Sequence, residues 1–96
     1  MEYRVKLSDR ALRDLADIYD FVEADASESA YAWFLEFEKA VYSLERHPER
    51  GSPDPKSKRR WRLFFGARPG VYKIMYQIDR RNAVVNVFHI RHGARA

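Results

Sequence analysis

The sequence predicts an α+β domain in which two helices cover one face of a mostly antiparallel sheet. Two stretches between residues 9 and 46 carry apolar residues at the three- and four-residue spacing of amphipathic helices. One alternating run precedes them and three follow, as expected for strands. Neither group can bury its apolar side alone, so residues 1–96 are expected to form one two-layer domain.

The first half of the chain predicts an N-terminal strand and an antiparallel two-helix hairpin. Glu2 to Leu7 alternates between charged and apolar residues, so it is expected to be a half-buried strand that pairs with a strand distant in sequence. Ser8 or Asp9 is a suitable N-cap for the first helix, and Ser27 for the second. The second helix is expected to run to about Arg46, where a His-Pro pair stops it.

The polar side of the first helix carries Arg13, Asp14, Asp17 and Asp20. We expect this side to be solvated, because no histidine or further carboxylate is placed to complete a metal coordination shell. The chain has no cysteine, which excludes disulfides and thiolate metal sites, and its three histidines are scattered. No metal or cofactor is therefore expected.

The second half predicts a three-stranded antiparallel sheet. Pro48 to Lys58 holds three of the four prolines and is predicted to be a loop. Trp61 to Phe65, Val71 to Asp79 and Ala83 to Ile90 follow as alternating runs. The turn Asp79-Arg80-Arg81-Asn82 joins the last two runs into a hairpin.

One face of this sheet is apolar and expected to be buried, and the other is basic. The first two strands of the sheet contribute Arg62, Lys73 and Gln77 to the basic face. The last strand adds either His89 with Arg91 or Asn86 with His92. A one-residue slip in pairing exchanges these two sets, so both remain open.

Charge is distributed unevenly along the chain. From Arg50 onward, Asp54 and Asp79 are the only acids, against twelve lysines and arginines. A basic half of this kind attracts a polyanion or an acidic protein in a salt-dependent manner. No apolar run approaches the ~20 residues that span a bilayer, and the N-terminus is charged rather than signal-like. We therefore expect a cytoplasmic protein without membrane contact.

Four segments, spread in order over nearly the whole chain, carry a family resemblance. They are VKLSDRALRDLADIYDFVE, SLERHPERGSPD, GVYKIMYQID and VFHIRHGAR. Through them the chain resembles the RelE/ParE superfamily of type II toxin–antitoxin toxins, and more closely its ParE, plasmid-stabilisation branch. The resemblance implies a RelE/ParE-like two-layer fold and a toxin neutralised by a cognate antitoxin encoded nearby. Such antitoxins lay an extended or helical acidic segment over the toxin, which the basic sheet face suits.

Toxins of the ParE branch poison DNA gyrase without a catalytic set, and this function is the first that the resemblance implies. Gyrase or nucleic acid would then be bound by basic residues of the last strands and the tail, namely Arg59, Arg60, Arg62, Lys73, Arg91 and Arg95.

A RelE-like ribosome-dependent mRNA endoribonuclease is the alternative, with the ribosome and mRNA as partners. Its catalytic residues would be Arg62, Lys73, Arg91 and His92. Lys73 stands where that branch has an arginine, and Phe64 lies near the position of a second lysine, which it cannot replace. The tail has no tyrosine of the RelE type, so His92 is the candidate base, as histidine is in some relatives. The short tail motivates a third hypothesis, an inactive toxin remnant.

Overall fold

The computed structural model describes residues 2–66 and 70–92. Its two helices are α1 (Asp9–Phe21) and α2 (Glu28–Tyr42), and 3-10 turns follow at Ser43–Glu45 and Pro48–Arg50. Its strands are β1 (Arg4–Leu7), β2 (Ser52–Asp54), β3 (Ser57–Phe65), β4 (Tyr72–Asp79) and β5 (Val84–His92). Within the described residues, no helix is long and apolar enough to cross a membrane.

The strands form one mixed sheet in the order β1-β5-β4-β3-β2. β1 lies at an edge and pairs with β5 in parallel, whereas the other three pairings are antiparallel. The distant partner of β1 agrees with the prediction. The three antiparallel strands predicted for the second half are present as β3, β4 and β5, but the prediction missed β2, which adds a fifth strand, and did not give the parallel direction of β1.

The segment from Pro48 to Lys58 was predicted to be a loop, but it contains β2 and the start of β3. β2 is an edge strand with one neighbour, a position where the missing N–H of Pro53 is tolerated. The hydroxyl of Tyr76 fixes the approach to β2. It donates to the carbonyl of Pro48 at 2.7 Å and accepts from the N–H of Gly51 at 3.2 Å. The prolines therefore accompany an edge strand here.

Both helices begin at the predicted serine caps. Ser8 Oγ accepts from the N–H of Ala11 at 3.0 Å, and Ser27 Oγ accepts from the N–H of Ala30 at 3.3 Å. Each bond satisfies one of the donors that the first helical turn leaves without an intrahelical acceptor. Asp9, the other candidate cap, is the first residue of α1 instead.

α2 packs its aromatic side against the sheet. Trp33 stacks on Phe37 with ring centroids 5.5 Å apart, and both rings contact Phe65 of β3 and Tyr72 of β4. Tyr72 and Tyr76 of β4 are both buried on this face. This cluster defines the helix-covered face of the sheet.

A β-bulge in β5 decides which residues share a face. Met75 of β4 lies opposite His89, but the next residue, Tyr76, lies opposite Val87, so Phe88 is an extra residue. The bulge therefore shifts the alternation of side chains in β5 by one position.

Because of this shift, the sheet face opposite the helices carries residues from both of the sets that the sequence left open. Val87 and Ile90 are both buried although three positions separate them. Asn86 lies opposite Gln77, and Arg91 lies opposite Lys73. His92 lies opposite the buried Tyr72, on the helix-covered face. The two-way choice between sets was thus wrong, because it assumed an unbroken strand.

α1 ends in a Schellman motif centred on a residue with positive φ. Glu23 has φ of 56°, its N–H bonds the carbonyl of Asp20 at 3.1 Å, and the N–H of Ala24 bonds the carbonyl of Tyr19 at 3.0 Å. Glycine is the residue that occupies this position without steric cost. Glu23 therefore holds a strained conformation at the end of α1.

Glu23→Gly should raise the free energy of unfolding by about 0.5–1 kcal/mol, because glycine removes the left-handed strain but adds some unfolded-state entropy. Urea denaturation followed by circular dichroism measures this change. Ala16→Gly is the control: Ala16 is exposed inside α1, and the substitution should lower stability by about 1 kcal/mol. A loss of stability in Glu23→Gly would contradict the assignment of the motif.

Candidate functional site

Three cations from three adjacent strands meet on the sheet face opposite the helices, called the outer face below. Lys73 lies on the central strand β4, opposite Phe64 of β3 on one side and Arg91 of β5 on the other. Arg62 is two residues before Phe64 and lies opposite Met75, one rung further along. We call Arg62, Lys73 and Arg91 the cation cluster.

The cluster changes the acidity of its central residue. The pKa of Lys73 lies below its ordinary value of 10.5, first because the ammonium group is partly removed from water, and then because Arg91 and Arg62 repel its charge. Lys56 adds to this repulsion, and Asp54 opposes it. Positive charge therefore exceeds the negative charge around Lys73, an arrangement that a bound anion would relieve.

Aromatic rings hold two of the guanidinium groups on this side of the sheet. The guanidinium carbon of Arg62 lies 5.4 Å from the centre of the Phe64 ring, and that of Arg60 lies 5.7 Å from the centre of the Phe88 ring. The Nε of Arg62 is buried and has no hydrogen-bond partner among the described residues. A donor in that state favours an acceptor supplied by a ligand or partner.

The free edge of β5 is held by α1 through Asp14. Its Oδ2 accepts from Nδ1 of His89 at 2.8 Å and from the N–H of Ile90 at 2.9 Å. A carboxylate only accepts, so Nδ1 carries the proton, and Nε2 of His89 then accepts from Arg10 at 3.3 Å. β1 ends at Leu7, and Asp14 supplies the acceptor that β1 no longer provides beyond that point.

This contact corrects one expectation of the sequence analysis. Asp14 was placed with Asp17 and Asp20 on a solvated helix side, yet it is partly buried and bonded to β5. Asp17 and Asp20 are exposed as predicted. The position of Asp14 one helical turn from Asp17 gives no signal of this difference, because the contact depends on how α1 crosses β5.

The family of the chain is decided by a match along nearly its whole length. Residues 5–96 match the family model described as the ParE toxin of the type II toxin–antitoxin system parDE. The chain belongs to this family. It is therefore a toxin component of a type II toxin–antitoxin system, as the resemblance of its segments implied.

Solved structures have the same fold as this ParE toxin. A chain of the chromosomal ParDE system of Pseudomonas aeruginosa is similar at a TM-score of 0.70 and 17% identity, covering 95% of this chain and 96% of that chain. A chain of the RelBE2 toxin–antitoxin complex of Mycobacterium tuberculosis is similar at a TM-score of 0.68 and 23% identity, covering 98% of this chain and 94% of that chain. A free Escherichia coli RelE variant with two arginine-to-alanine changes is similar at a TM-score of 0.67 and 17% identity, covering 96% of this chain and 84% of that chain. No curated protein matches the chain.

The toxin does not bring all the predicted binding residues together. The cation cluster unites Arg62, Lys73 and Arg91, and Arg60 is anchored near it on Phe88. Arg59 lines a separate hollow at the far end of the sheet. Arg95 lies outside the described residues.

The predicted catalytic set is divided between the two faces of the sheet. Three of its four members form the cation cluster, whereas His92 sits on the helix-covered face with its ring edge-on to Tyr72 at 5.1 Å. No group of three or more His, Asp or Glu residues that could hold a metal ion occurs in the described part of the chain. On the outer face, the register places His89 opposite Met75, next to the cation cluster, but its ring is bonded to Asp14 and Arg10 at the edge of β5.

Asp14→Ala should lower the free energy of unfolding by about 1–3 kcal/mol, because the N–H of Ile90 and the ring of His89 lose their acceptor in a partly buried place. Asp17→Ala, one turn away and exposed, should change it by less than about 0.5 kcal/mol. Urea denaturation measures both variants, and amide hydrogen exchange at Ile90 should speed up in the first alone. Equal stability of the two variants would contradict the bond.

Arg91→Gln should raise the pKa of Lys73 toward its ordinary value, because one repelling charge is removed while burial persists. A carbon-13 NMR titration of the lysine side chain measures it, with Arg13→Gln on α1 as the control. An unchanged titration in Arg91→Gln would contradict the coupling.

The same lowered pKa has a consequence for stability. The folded protein binds fewer protons than the unfolded chain between the lowered pKa of Lys73 and 10.5. The contribution of Lys73 to stability therefore grows as pH rises through that interval.

Proposed function

We propose that this ParE toxin poisons DNA gyrase by binding it through the outer face, and that an antitoxin neutralises it by covering the same face. The observation that carries the proposal is the division of the candidate catalytic set, with His92 behind the sheet and the cation cluster in front of it. Cleavage of a phosphodiester needs a placed proton acceptor and donor, whereas binding needs charge and shape. The cation cluster supplies the charge that binding needs.

The antitoxin is expected to combine acidic and apolar contacts. The cation cluster and Arg60 attract an acidic segment. Exposed apolar side chains stand on both helices, and they are Leu12, Phe21, Tyr31, Leu35 and Tyr42. These side chains lie on the helical side of the sheet, so an antitoxin that covers the outer face reaches them only through a further segment that packs over the helices. The RelBE2 complex of M. tuberculosis is by its name a toxin–antitoxin complex, which supports a partner of this class.

A second function, ribosome-dependent mRNA cleavage, is favoured by the lowered pKa of Lys73. A lowered pKa leaves more of Lys73 unprotonated and therefore able to accept a proton, and Arg62 and Arg91 beside it would stabilise the charge that develops on the phosphoryl oxygens. In that case Lys73, rather than a histidine, would accept the proton during cleavage of mRNA in the ribosome. This candidate stands second because it leaves His92 unused.

Purified toxin should inhibit supercoiling by gyrase, cause cleaved DNA to accumulate, and lose both effects when the product of the adjacent gene is added. Arg62→Gln and Lys73→Gln should each weaken inhibition roughly ten- to hundredfold, the range expected for a lost charge-assisted contact. Arg13→Gln, which removes the same charge from an exposed site on α1, should leave inhibition unchanged.

The same proteins should be added to translating ribosomes, with mRNA cleavage as the readout. Cleavage that disappears in Lys73→Gln, together with intact gyrase, would replace the first function by the second. Inhibition of neither target at high excess of toxin would show an inactive remnant.

A further inference from the structure

A second basic surface lies beside the β4–β5 turn, at the end of the sheet away from Arg91. The register between β3 and β4 runs from Trp61 with Tyr76 to Phe65 with Tyr72. β2 pairs with β3 at Trp61 and again at Ser57, with an irregularity between. Residues 58–60 therefore depart from regular pairing, and a hollow of about 590 Å³ opens between them and the end of β4. We call it the hairpin-end hollow.

The walls of the hollow are cationic on both sides. Its basic lining residues are Lys58 and Arg59 from β3, and Arg80 and Arg81 from the turn, all exposed. The bridge from Arg80 to Glu49, at 3.1 Å between two exposed side chains, holds that arginine weakly. Asp79, the acid in the lining, is turned into the hairpin, where its oxygens accept from the N–H of Asn82 at 3.1 Å and from its Nδ2 at 2.9 Å. The hollow thus has a surplus of positive charge.

The lining of the hollow also includes two uncharged hydrogen-bonding side chains. Gln77 and Asn86 lie directly opposite each other, and both are exposed. Each amide offers donors and an acceptor, the combination that reads the edges of bases. The half-buried Trp61 completes the lining and stacks on Tyr76 at 6.3 Å. The cations of β3 and of the turn lie next to this amide pair, an arrangement in which they could contact phosphates while the amides face base edges.

We propose that the hairpin-end hollow binds duplex DNA, with its four cations on the phosphates and the Gln77–Asn86 pair toward the base edges. Protein side chains can reach the base edges in the wide major groove of B-DNA, whereas the deep and narrow major groove of duplex RNA excludes them. The inference rests on the proposed function for the source of the DNA, which is the segment held by gyrase. The site itself is distinct from the cation cluster on the outer face.

Binding is tested with purified toxin and a fluorescent 20-base-pair DNA duplex, by anisotropy across a salt series and without gyrase. The double variants Lys58→Gln/Arg59→Gln and Arg80→Gln/Arg81→Gln should each reduce the slope of log affinity against log salt by about 2, one for each lost phosphate contact. The matched control Arg13→Gln/Arg46→Gln removes the same charge from the helical side and should keep the slope. Gln77→Ala/Asn86→Ala should weaken binding while the slope stays as it is.

Three results would overturn the proposal. The first is hairpin-end variants that bind DNA as the control does. The second is a duplex RNA of the same sequence that binds equally well and responds to the same variants. The third is poly-glutamate of matched total charge that displaces the DNA, which would assign the hollow to an acidic protein. Because gyrase is absent from this assay, failure of the supercoiling assay with intact DNA binding would reject the proposed target and leave the site standing.

Discussion

The extra residue in β5 is the constraint on which the sheet depends. β5 must place Val85, Val87 and Ile90 in the core, and these positions cannot share a face in an unbroken strand. The bulge at Phe88 resolves the conflict by letting two residues of β5 stand against one of β4. It also turns Arg91 toward Lys73 and leaves His92 against Tyr72. Core packing and the composition of the outer face are therefore set by one local irregularity.

The same strand changes partners at this point. Before the bulge, β5 pairs with β1, and beyond it the edge is met by α1, where Ser8 Oγ donates to the carbonyl of Phe88 and Asp14 accepts from Ile90. An open edge of this length would otherwise leave polar backbone groups available for pairing with another chain. A single helix thus covers the core with its apolar side and protects a strand edge with one carboxylate.

Much of this architecture could be predicted from the sequence, because the buried positions of helices and central strands recur at a regular spacing along the chain. Ser8 and Ser27 were identified as caps since their chemistry is local, and the hairpin turn at 79–82 was found for the same reason. β2 was missed because its prolines indicate a loop unless the strand is known to be an edge.

The candidate site was predictable in part for a related reason. Arg62 and Lys73 follow simple alternation, so their shared face could be read directly. Arg91 and His92 lie beyond the bulge, where alternation no longer reports the face. The apolar Val87, Phe88 and Ile90 are unevenly spaced, and that was the available signal of an inserted residue. The bond from Asp14 to His89 depends on tertiary packing and has no counterpart in the local sequence.

The bulge also relates the two basic surfaces to each other. The guanidinium group of Arg60 packs on the ring of Phe88, the inserted residue. In β3, Arg60 lies between Arg59 of the hairpin-end hollow and Arg62 of the cation cluster. A polyanion lying along β3 would pass Arg60 and Arg62 between the hollow and Lys73. Since Asp54 and Asp79 are the acids from residue 50 onward, and Asp79 is bonded within its turn, little charge opposes such a path. Removing the inserted residue would therefore disturb the core, the cation cluster and the contact between the two surfaces together.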